Sequence, residues 1–253
     1  MKPIIFTLPG NEAFATGLYK QLNSETGDFI IRPFPDGETY LRVGTEVKDK
    51  EVILLDSLVN PNVKILPLLF LANTLKEQGA QRVGLLTPYL PYMRQDKSFR
   101  SGESVTTRHF AQLLCSAFDW LITVDPHLHR FTSLDQVYTI PNRVVPSAPK
   151  LADWIDCQVK DPLIIGPDSE SKQWVSEIAR LAKAPYAVFS KQRLGDRQVT
   201  LEMSDVSSYL DCTPVLVDDI ISTGTTMINA IELLKDKFSQ KPICLGIHAV
   251  FNG

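Results

Sequence analysis

Short apolar runs alternate along this chain with longer segments of helical periodicity, and this alternation constrains the fold more than any other feature. The runs lie at residues 2–8, 29–34, 51–57, 82–90, 120–126, 162–168, 186–191, 213–219 and 243–250. Continuous apolar runs that are separated by helices are typical of parallel strands covered on both faces of a sheet. The pattern therefore predicts an α/β protein with mostly parallel sheets.

The chain divides into two halves of similar pattern. Residues 139–150 contain three prolines and no periodicity, which predicts a linker. We therefore predict two doubly wound domains, 1–142 and 143–253. Apolar residues at i, i+3 and i+4 spacing predict helices at residues 62–79, 103–118, 170–183 and 225–238.

Composition and charge indicate whether the protein binds nucleic acid or a membrane. The 253 residues carry a formal net charge of -3 and are 44% hydrophobic. This balance gives no broad basic field, so we expect no nucleic-acid partner. The apolar run at residues 65–72 is too short to span a bilayer, and Pro9 and Gly10 come too early for a secretory signal. We therefore expect no membrane partner and a cytoplasmic location.

The four cysteines, Cys115, Cys157, Cys212 and Cys244, are widely spaced. They form no CxxC pair, and no histidine clusters with them at the spacing of a metal site. We therefore interpret them as buried thiols, not as disulfides or zinc ligands.

The stretch PVLVDDIISTGTTM places two adjacent carboxylates where an apolar run ends. Asp218 and Asp219 repel each other, so the pair is favourable only beside a cation or a polyol. A hydroxyl-rich turn follows and precedes a predicted helix, whose N-terminal N–H groups suit a phosphate. Together these features predict a sugar phosphate ligand. The alternative is an ordinary turn in which Asp and Thr only cap the helix.

This stretch resembles the motif that binds 5-phosphoribosyl-1-pyrophosphate (PRPP) in type I phosphoribosyltransferases and PRPP synthetases. The resemblance implies that Asp218 and Asp219 meet the ribose 2- and 3-hydroxyls. It implies that the 5-phosphate is held by Ser222, Thr223, Gly224, Thr225 and Thr226. The motif alone leaves open whether PRPP is made or consumed.

A segment in the first half resembles PRPP synthetases, also named ribose-phosphate pyrophosphokinases, and has no equivalent in ordinary phosphoribosyltransferases. TPYLPYMRQDK is similar to the nucleotide-binding segment of that family. The resemblance implies that Arg94, Gln95 and Asp96 bind ATP.

FPDGE resembles the family segment that reaches the ATP of a neighbouring subunit. The residues that match it are Phe34, Asp36 and Glu38. The resemblance therefore implies a homodimer or a larger homo-oligomer in which two subunits share each ATP site.

Three further strand ends resemble the same family. VDPHLHR is similar to the DxH segment, which implies that His127 contacts metal and ATP phosphates. PLIIGPD is similar to a strand end of the family, which implies that Asp168 binds metal. Ser-Glu-Ser follows it here, where relatives usually have glycine. SKQR is similar to the start of the flexible catalytic loop, which implies that Lys191 and Arg193 stabilise the transferring pyrophosphoryl group.

The resemblance covers nearly the whole chain and is closest to the short archaeal-type members. It implies two phosphoribosyltransferase-like domains, with ATP bound by the first and ribose 5-phosphate by the second. The reaction implied is the Mg²⁺-dependent transfer of the β,γ-pyrophosphoryl group of ATP to the ribose 1-hydroxyl, with AMP as the second product. The family extends beyond the segment that matches residues 246–253, so we expect a C-terminal domain that is short for the family.

Three other functions fit parts of the sequence. A catalytically weak family member that regulates a true synthetase would agree with Ser-Glu-Ser at 169–171. A phosphoribosyltransferase that consumes PRPP would explain the PRPP motif but not the RQD and FPDGE segments. A regulator that senses PRPP and binds nucleic acid would need a basic patch, which the charge does not provide.

Overall fold

The computed structural model describes residues 2–98, 100–193, 199–203 and 206–251, with the backbone alone at 190–193 and 199–203. The chain forms two compact units, Met1–Val145 (unit 1) and Pro146–Gly253 (unit 2). Each unit contains a mostly parallel sheet and several helices, which confirms the predicted α/β class.

Unit 1 is built on a parallel sheet. The strands of the unit are β1 (Ile4–Thr7), β2 (Glu25–Thr26), β3 (Phe29–Pro33), β4 (Thr39–Val43), β5 (Glu51–Leu55), β6 (Arg82–Thr87), β7 (Trp120–Val124) and β8 (Asn142–Val145). Its α-helices are α1 (Glu12–Leu22), α2 (Pro61–Glu77) and α3 (Thr106–Ala117). The sheet has the strand order β2-β1-β5-β6-β7-β8, and each neighbouring pair is parallel.

The apolar run of β5 is buried on both faces of this sheet. Val52 and Leu54 belong to the cluster formed with the side chains of α2 and α3. Ile53 and Leu55 belong to a second cluster, with Ala15 of α1. Successive residues of a strand point to opposite faces, so both faces need apolar residues and the run is continuous.

The run at residues 29–34 does not form a parallel strand, and that prediction is wrong. β3 and β4 form a separate antiparallel ribbon with Phe29 opposite Val43. Residues 34–38 connect them, and a connection this short permits only an antiparallel pair because a parallel one requires a crossover. The residues of β3 are half-buried or exposed, as expected for a ribbon with one solvated side.

Unit 2 repeats the architecture on a smaller sheet. Its strands are β9 (Pro162–Gly166), β10 (Tyr186–Arg193), β11 (Val199–Met203), β12 (Thr213–Ile221) and β13 (Ile243–Ala249). Its α-helices are α4 (Ala148–Gln158), α5 (Lys172–Leu181) and α6 (Thr225–Leu234). The strand order is β11-β10-β9-β12-β13, with β11 antiparallel to β10 and the other pairs parallel.

The predicted linker contains secondary structure. Its first part forms β8, which pairs with β7 at the edge of the first sheet. Its last part enters the first turn of α4, where Pro149 is tolerated because the missing N–H would have no helical partner there. The boundary between the units falls after Val145, whereas the sequence predicts it after residue 142.

The four cysteines are free thiols, as predicted, but the prediction that they are buried is wrong for two of them. Cys157 and Cys244 are exposed, and Cys115 and Cys212 are half-buried. α4 buries Ala152 and Ile155, and its helical period therefore turns Cys157 outward.

Across the described ranges, no helix of either unit combines the length and the apolar character that a membrane span requires.

Candidate active site

Asp218 and Asp219 lie within β12, not after its end as the sequence predicts. β12 continues to Ile221 because it stays paired with β13 as far as Ala249. Its pairing with β9, by contrast, ends at Leu216. Asp218 therefore lies beyond the carboxyl end of the neighbouring parallel strand, which is where ligand sites form in such sheets.

The Asp218 carboxyl has a strongly shifted ionisation. Burial, together with the charges of Asp219 and Asp168, raises its pKa to about 7. The Asp219 N–H donates to Asp218 Oδ1 at 3.0 Å and opposes part of the shift. A bound cation would favour the ionised form, and carboxylate oxygens are the ligands that hard divalent cations prefer. The donor set therefore fits such an ion.

The turn from Ser222 to Gly224 brings hydroxyl groups to the N-terminus of α6. Gly224 has a left-handed conformation with φ of 74°, which glycine adopts without strain. Thr223 Oγ1 lies 2.9 Å from Thr225 Oγ1, and the side chains of Thr223, Thr225 and Thr226 are exposed. The predicted phosphate-binding residues thus lie together at a helix start, where backbone N–H groups are available to an anion.

Asp168 follows β9 and caps the short 3-10 turn at Ser169–Ser171. Its Oδ1 accepts from the N–H groups of Glu170 at 3.0 Å and Ser171 at 3.1 Å. A Cβ at Gly166 would come within 2.2 Å of Ser171 Oγ, so glycine at 166 makes room for the serine. The Ser-Glu-Ser departure is therefore accommodated, and it holds Asp168 where its charge acts on Asp218.

In unit 1, the segment after β6 presents the predicted ATP-binding residues in three environments. Arg94 is exposed, Gln95 is half-buried and Asp96 is buried. The first turn of α3 holds this segment: Thr106 Oγ1 donates to Gln95 Oε1 at 2.9 Å, and Thr107 Oγ1 lies 2.9 Å from the Gln95 carbonyl oxygen. Arg94 is therefore presented to solvent from a segment that is fixed beneath it.

Asp96 forms an ion pair with Arg130. Arg130 Nη1 lies 2.8 Å from Oδ1 and 3.1 Å from Oδ2 of Asp96. The Asp96 side chain is only 2% exposed, so its carboxylate offers almost no surface to a nucleotide. Asp96 supports the segment from within, and direct contact with ATP stays a prediction for Arg94 and Gln95.

His127 follows β7 and lies beside His129. Nε2 of His129 is 2.9 Å from Nδ1 of His127, and the ring centroids are 3.7 Å apart. A hydrogen bond at one ring nitrogen orients a histidine and selects its tautomer. His129 therefore orients His127, whose metal and ATP contacts stay predictions.

The FPDGE residues lie at the tip of the β3–β4 ribbon. Phe34, Asp36 and Glu38 are all exposed. The ring of Phe34 packs edge-on against Tyr40, with centroids 5.9 Å apart, and the Arg32 guanidinium lies 4.3 Å from the Tyr40 centroid. The tip thus presents an aromatic ring beside two carboxylates.

Lys191 and Arg193 lie on the backbone of β10, opposite Leu201 and Val199 of β11. The side chains of both residues lie outside the described part of the chain, as do residues 194–198 of the predicted catalytic loop. Their catalytic role stays a prediction.

A polar cluster that the sequence did not predict lies at the carboxyl ends of β1 and β5. Asp56 is fully buried, and its Oδ1 accepts from Lys64 Nζ at 2.8 Å and from Asn11 Nδ2 at 3.0 Å. Burial raises the pKa of Asp56, while the bonds from Lys64 and Asn11 oppose this. Asn11, Asp56 and Lys64 are termed the Asp56 cluster below.

Other residues of the site region were also missed. The sequence predicts no role for His129 or Arg130, although both lie in the VDPHLHR motif. Thr106 and Thr107 could have been suspected as hydroxyls at a predicted helix start. The partner of Arg130 lies 34 residues away, so no local pattern reveals the ion pair.

Comparison with known proteins decides the family. The N-terminal domain of ribose phosphate pyrophosphokinase matches residues 3–117, and the phosphoribosyl transferase domain matches residues 133–253. The ribose-phosphate pyrophosphokinase of Methanobrevibacter smithii is 32% identical, over 95% of this chain and 84% of the relative. The chain belongs to the ribose-phosphate pyrophosphokinase family.

Further members of the ribose-phosphate pyrophosphokinase family agree with this. The enzyme of Sulfolobus acidocaldarius is 31% identical over 92% of this chain and 80% of the relative. The crystal structure of phosphoribosylpyrophosphate synthetase from Mycobacterium smegmatis matches with a TM-score of 0.89 and 25% identity, over 100% of this chain and 83% of the other. The predicted pair of phosphoribosyltransferase-type domains is confirmed.

Proposed function

We propose that this protein is a ribose-phosphate pyrophosphokinase that transfers the β,γ-pyrophosphoryl group of ATP to the 1-hydroxyl of ribose 5-phosphate. The observation that carries the proposal is the arrangement on β12 and α6. The Asp218 carboxyl, whose pKa is raised, and the adjacent Asp219 are followed there by a hydroxyl-rich helix N-terminus, in a chain of this family. Such an arrangement suits a ligand that has hydroxyls at one end and a phosphate at the other.

The acceptor is bound in unit 2. Asp218 and Asp219 accept hydrogen bonds from the ribose 2- and 3-hydroxyls, and the residues from Ser222 to Thr226 hold the 5-phosphate. The ribose 1-hydroxyl attacks the β-phosphorus of ATP. A new oxygen–phosphorus bond forms while the bond to the AMP oxygen breaks, and the hydroxyl proton is released.

Mg²⁺ is the cation that we assign to the site. His127 in unit 1 and Asp168 in unit 2 would each offer a ligand to such an ion, and the ionised form of Asp218 adds negative charge beside Asp168. The ion supplies neutralisation of the phosphate charges when it is bound.

ATP is bound in this proposal by Arg94 and Gln95. The exposed Arg94 side chain provides a charge for the phosphates, and Thr106 fixes the Gln95 amide. Lys191 and Arg193 stabilise the charge that develops on the transferring group. Catalysis then depends on positioning and charge compensation and needs no covalent intermediate.

A second copy of the chain completes the ATP site. Phe34, Asp36 and Glu38 are exposed at a ribbon tip, where they can reach a neighbouring subunit. α2 also exposes Val63, Leu66 and Phe70, an apolar stripe of the kind found at subunit contacts. We therefore propose a homodimer or a larger homo-oligomer. Free thiols suit a reducing compartment, which supports a cytoplasmic location.

The decisive experiment combines protein, Mg²⁺, ATP and ribose 5-phosphate and measures AMP release, followed by mass detection of PRPP. We expect both products, formed in equal amounts. The control omits ribose 5-phosphate, which separates pyrophosphoryl transfer from ATP hydrolysis. Absence of AMP from well-folded protein across a range of phosphate and metal concentrations would reject the enzyme and favour the regulatory alternative.

Subunit sharing is tested by complementation. Phe34→Ala subunits lack the donated residue, and Asp218→Asn subunits lack the acceptor site. In mixed dimers one of the two sites is intact, so mixing should restore about a quarter of wild-type activity. Mixtures that stay as inactive as the separate variants, or a fully active monomer in dilute sedimentation, would contradict the shared site.

A further inference from the structure

We propose that Arg130 is a positioning residue for the ATP-binding segment and that it acts through its buried ion pair with Asp96. The inference rests on the proposed function, which assigns Arg94 and Gln95 to ATP and His127 to the metal ion. It adds a residue that the sequence left without a role.

Loss of the ion pair would carry a large free-energy cost, because Asp96 is buried. The Asp96 side chain is 2% exposed, and both of its oxygens lie within 3.1 Å of one Arg130 nitrogen. A buried carboxylate that loses its cation carries a large desolvation penalty. Without Arg130, that penalty is relieved only when Asp96 becomes neutral or moves toward solvent.

Movement of Asp96 would displace the residues that bind ATP. Asp96 directly follows Gln95, and consecutive Cα atoms are held about 3.8 Å apart. α3 holds the Gln95 side of the segment through Thr106 and Thr107, and Arg130 holds the Asp96 side. Loss of the second anchor would shift Arg94 and Gln95 from their binding geometry, and misplacement by about 1 Å can reduce a rate about 100-fold.

Arg130 also connects two loops. It belongs to the loop after β7 that contains His127, whereas Asp96 belongs to the loop after β6, and the two strands are parallel neighbours. The Val124 N–H donates to the Pro88 carbonyl oxygen at 3.2 Å, which links the same loops near the strand ends. The ion pair links the two loops farther from the strand ends. Together the two contacts hold the predicted ligand-binding residues of both loops in a fixed relative position.

The test compares Arg130→Ala, Arg130→Lys and Asp96→Asn in the full chain, with ATP and ribose 5-phosphate varied separately. We expect Arg130→Ala to raise the KM for ATP about 10-fold and to lower kcat/KM for ATP about 100-fold, with the KM for ribose 5-phosphate changed by less than about twofold. Arg130→Lys keeps the charge and should recover part of the loss.

Arg180→Ala is the matched control. Arg180 forms a similar ion pair with Glu177, but on an exposed helix face where the side chains are 66% and 46% exposed. Exposed pairs contribute little, so this variant should keep both KM values and kcat.

A merely structural role for Arg130 predicts a different result. A smaller folded fraction would lower kcat for both substrates and leave both KM values unchanged, and that outcome overturns the proposal. In a double-mutant cycle, Asp96→Asn with Arg130→Ala should be no worse than Arg130→Ala alone, whereas multiplied losses would show that the residues act separately.

Two further measurements test the proposal if Arg130→Ala does not fold or if the wild-type protein releases no AMP. If Arg130→Ala does not fold, Asp96→Asn alone must show the ATP-selective rise in KM. If wild-type protein releases no AMP, the proposed function fails, and calorimetry with Mg²⁺–ATP then decides on the ion pair. A roughly 10-fold weaker binding by Arg130→Ala or Asp96→Asn would support it, and unchanged binding would overturn it.

Discussion

The two units place a carboxylate at the same point of the same topology, yet the two carboxylates have opposite surroundings. In unit 1, β2 lies on one side of β1 and β5 on the other; in unit 2, β10 and β12 flank β9 in the same way. Asp56 directly follows β5, and Asp218 lies near the end of β12, the equivalent strand. Ligands of parallel sheets bind at such reversals of strand order.

The surrounding charges differ. Asp56 is fully buried and is bonded to Lys64 of its own following helix. Asp218 is half-buried, and the nearby charges that act on it, Asp219 and Asp168, are negative. A strand-end carboxylate with a built-in counter-charge becomes part of the core, whereas one beside further carboxylates requires a ligand or an ion to complete it. This difference separates a structural position from a site.

Replacement of Asp218 and of Asp56 should show the largest difference in activity between the two positions. We expect Asp218→Asn to lower kcat/KM for ribose 5-phosphate about 1000-fold, since charged hydrogen bonds to the acceptor are lost. Asp56→Asn should change the same value less than about threefold, because the proposed function assigns no substrate contact to the Asp56 cluster. AMP release at saturating ATP measures both. Similar losses in the two variants would show that the two positions do not differ in function.

The second largest effect on activity is expected for Lys191, which lies on β10 opposite β11. Lys191→Ala should lower kcat about 100-fold while the dissociation constant for ATP changes less than about threefold, because the charge acts in the transition state. Single-turnover kinetics and calorimetry measure the two values. Lys20→Ala, on an exposed face of α1, is the control and should be fully active. Weakened ATP binding with unchanged kcat would place Lys191 in substrate binding instead.

Lys64→Ala tests the built-in counter-charge of unit 1. Asp56 would then be buried without a cation, so we expect the free energy of unfolding to fall by about 2 kcal/mol, less than for a fully buried pair because Lys64 is 27% exposed. Lys150→Ala removes an exposed pair with Asp153 and should cost less than about 0.5 kcal/mol. Urea unfolding measures both variants. Equal costs would mean that Lys64 does not neutralise Asp56.

The pH dependence of stability gives the smallest effect. The pKa of Asp218 is raised to about 7 in the folded protein, so the folded state binds its proton more tightly than the unfolded state. Its contribution to stability is full below pH about 4 and is lost as the pH rises to about 7. Without Mg²⁺, the melting temperature of wild type should therefore fall relative to Asp218→Asn over this range, by roughly 2–4 °C for each kcal/mol of stability lost.

Added Mg²⁺ is the control for the pH experiment. A cation stabilises the ionised carboxylate, so saturating Mg²⁺ should remove most of the difference above pH 7. Parallel melting curves for wild type and Asp218→Asn without metal would show that Asp218 has an ordinary pKa.

Much of the architecture could be predicted because the central strands are buried on both faces. The runs that became β5, β9 and β12 are continuous and apolar, and α6 follows its strand with clear helical spacing. α1 was missed because it buries only Ala15 among its described side chains and exposes Phe14 and Leu22, so its apolar period is weak. α4 was missed because Pro149 at its start, and Pro146 just before it, resemble the prolines of a linker.

The site could be predicted where one stretch of chain contains the whole chemistry. Asp218, Asp219 and the turn to Thr226 are contiguous, so their proximity required no knowledge of the fold. The Asp96–Arg130 pair and the Asp56 cluster join residues from different loops and helices. Such contacts depend on strand order and helix placement, which are set by packing over the whole unit.

Lys64 has a consequence for how the protein responds to its surroundings. A tethered ammonium group cannot be removed by a chelator or diluted away, since its local concentration is set by the helix that carries it. Depletion of divalent ions would therefore leave the Asp56 carboxylate with its counter-charge. Of the two strand-end carboxylates, Asp218 would be the one whose ionisation responds to metal supply.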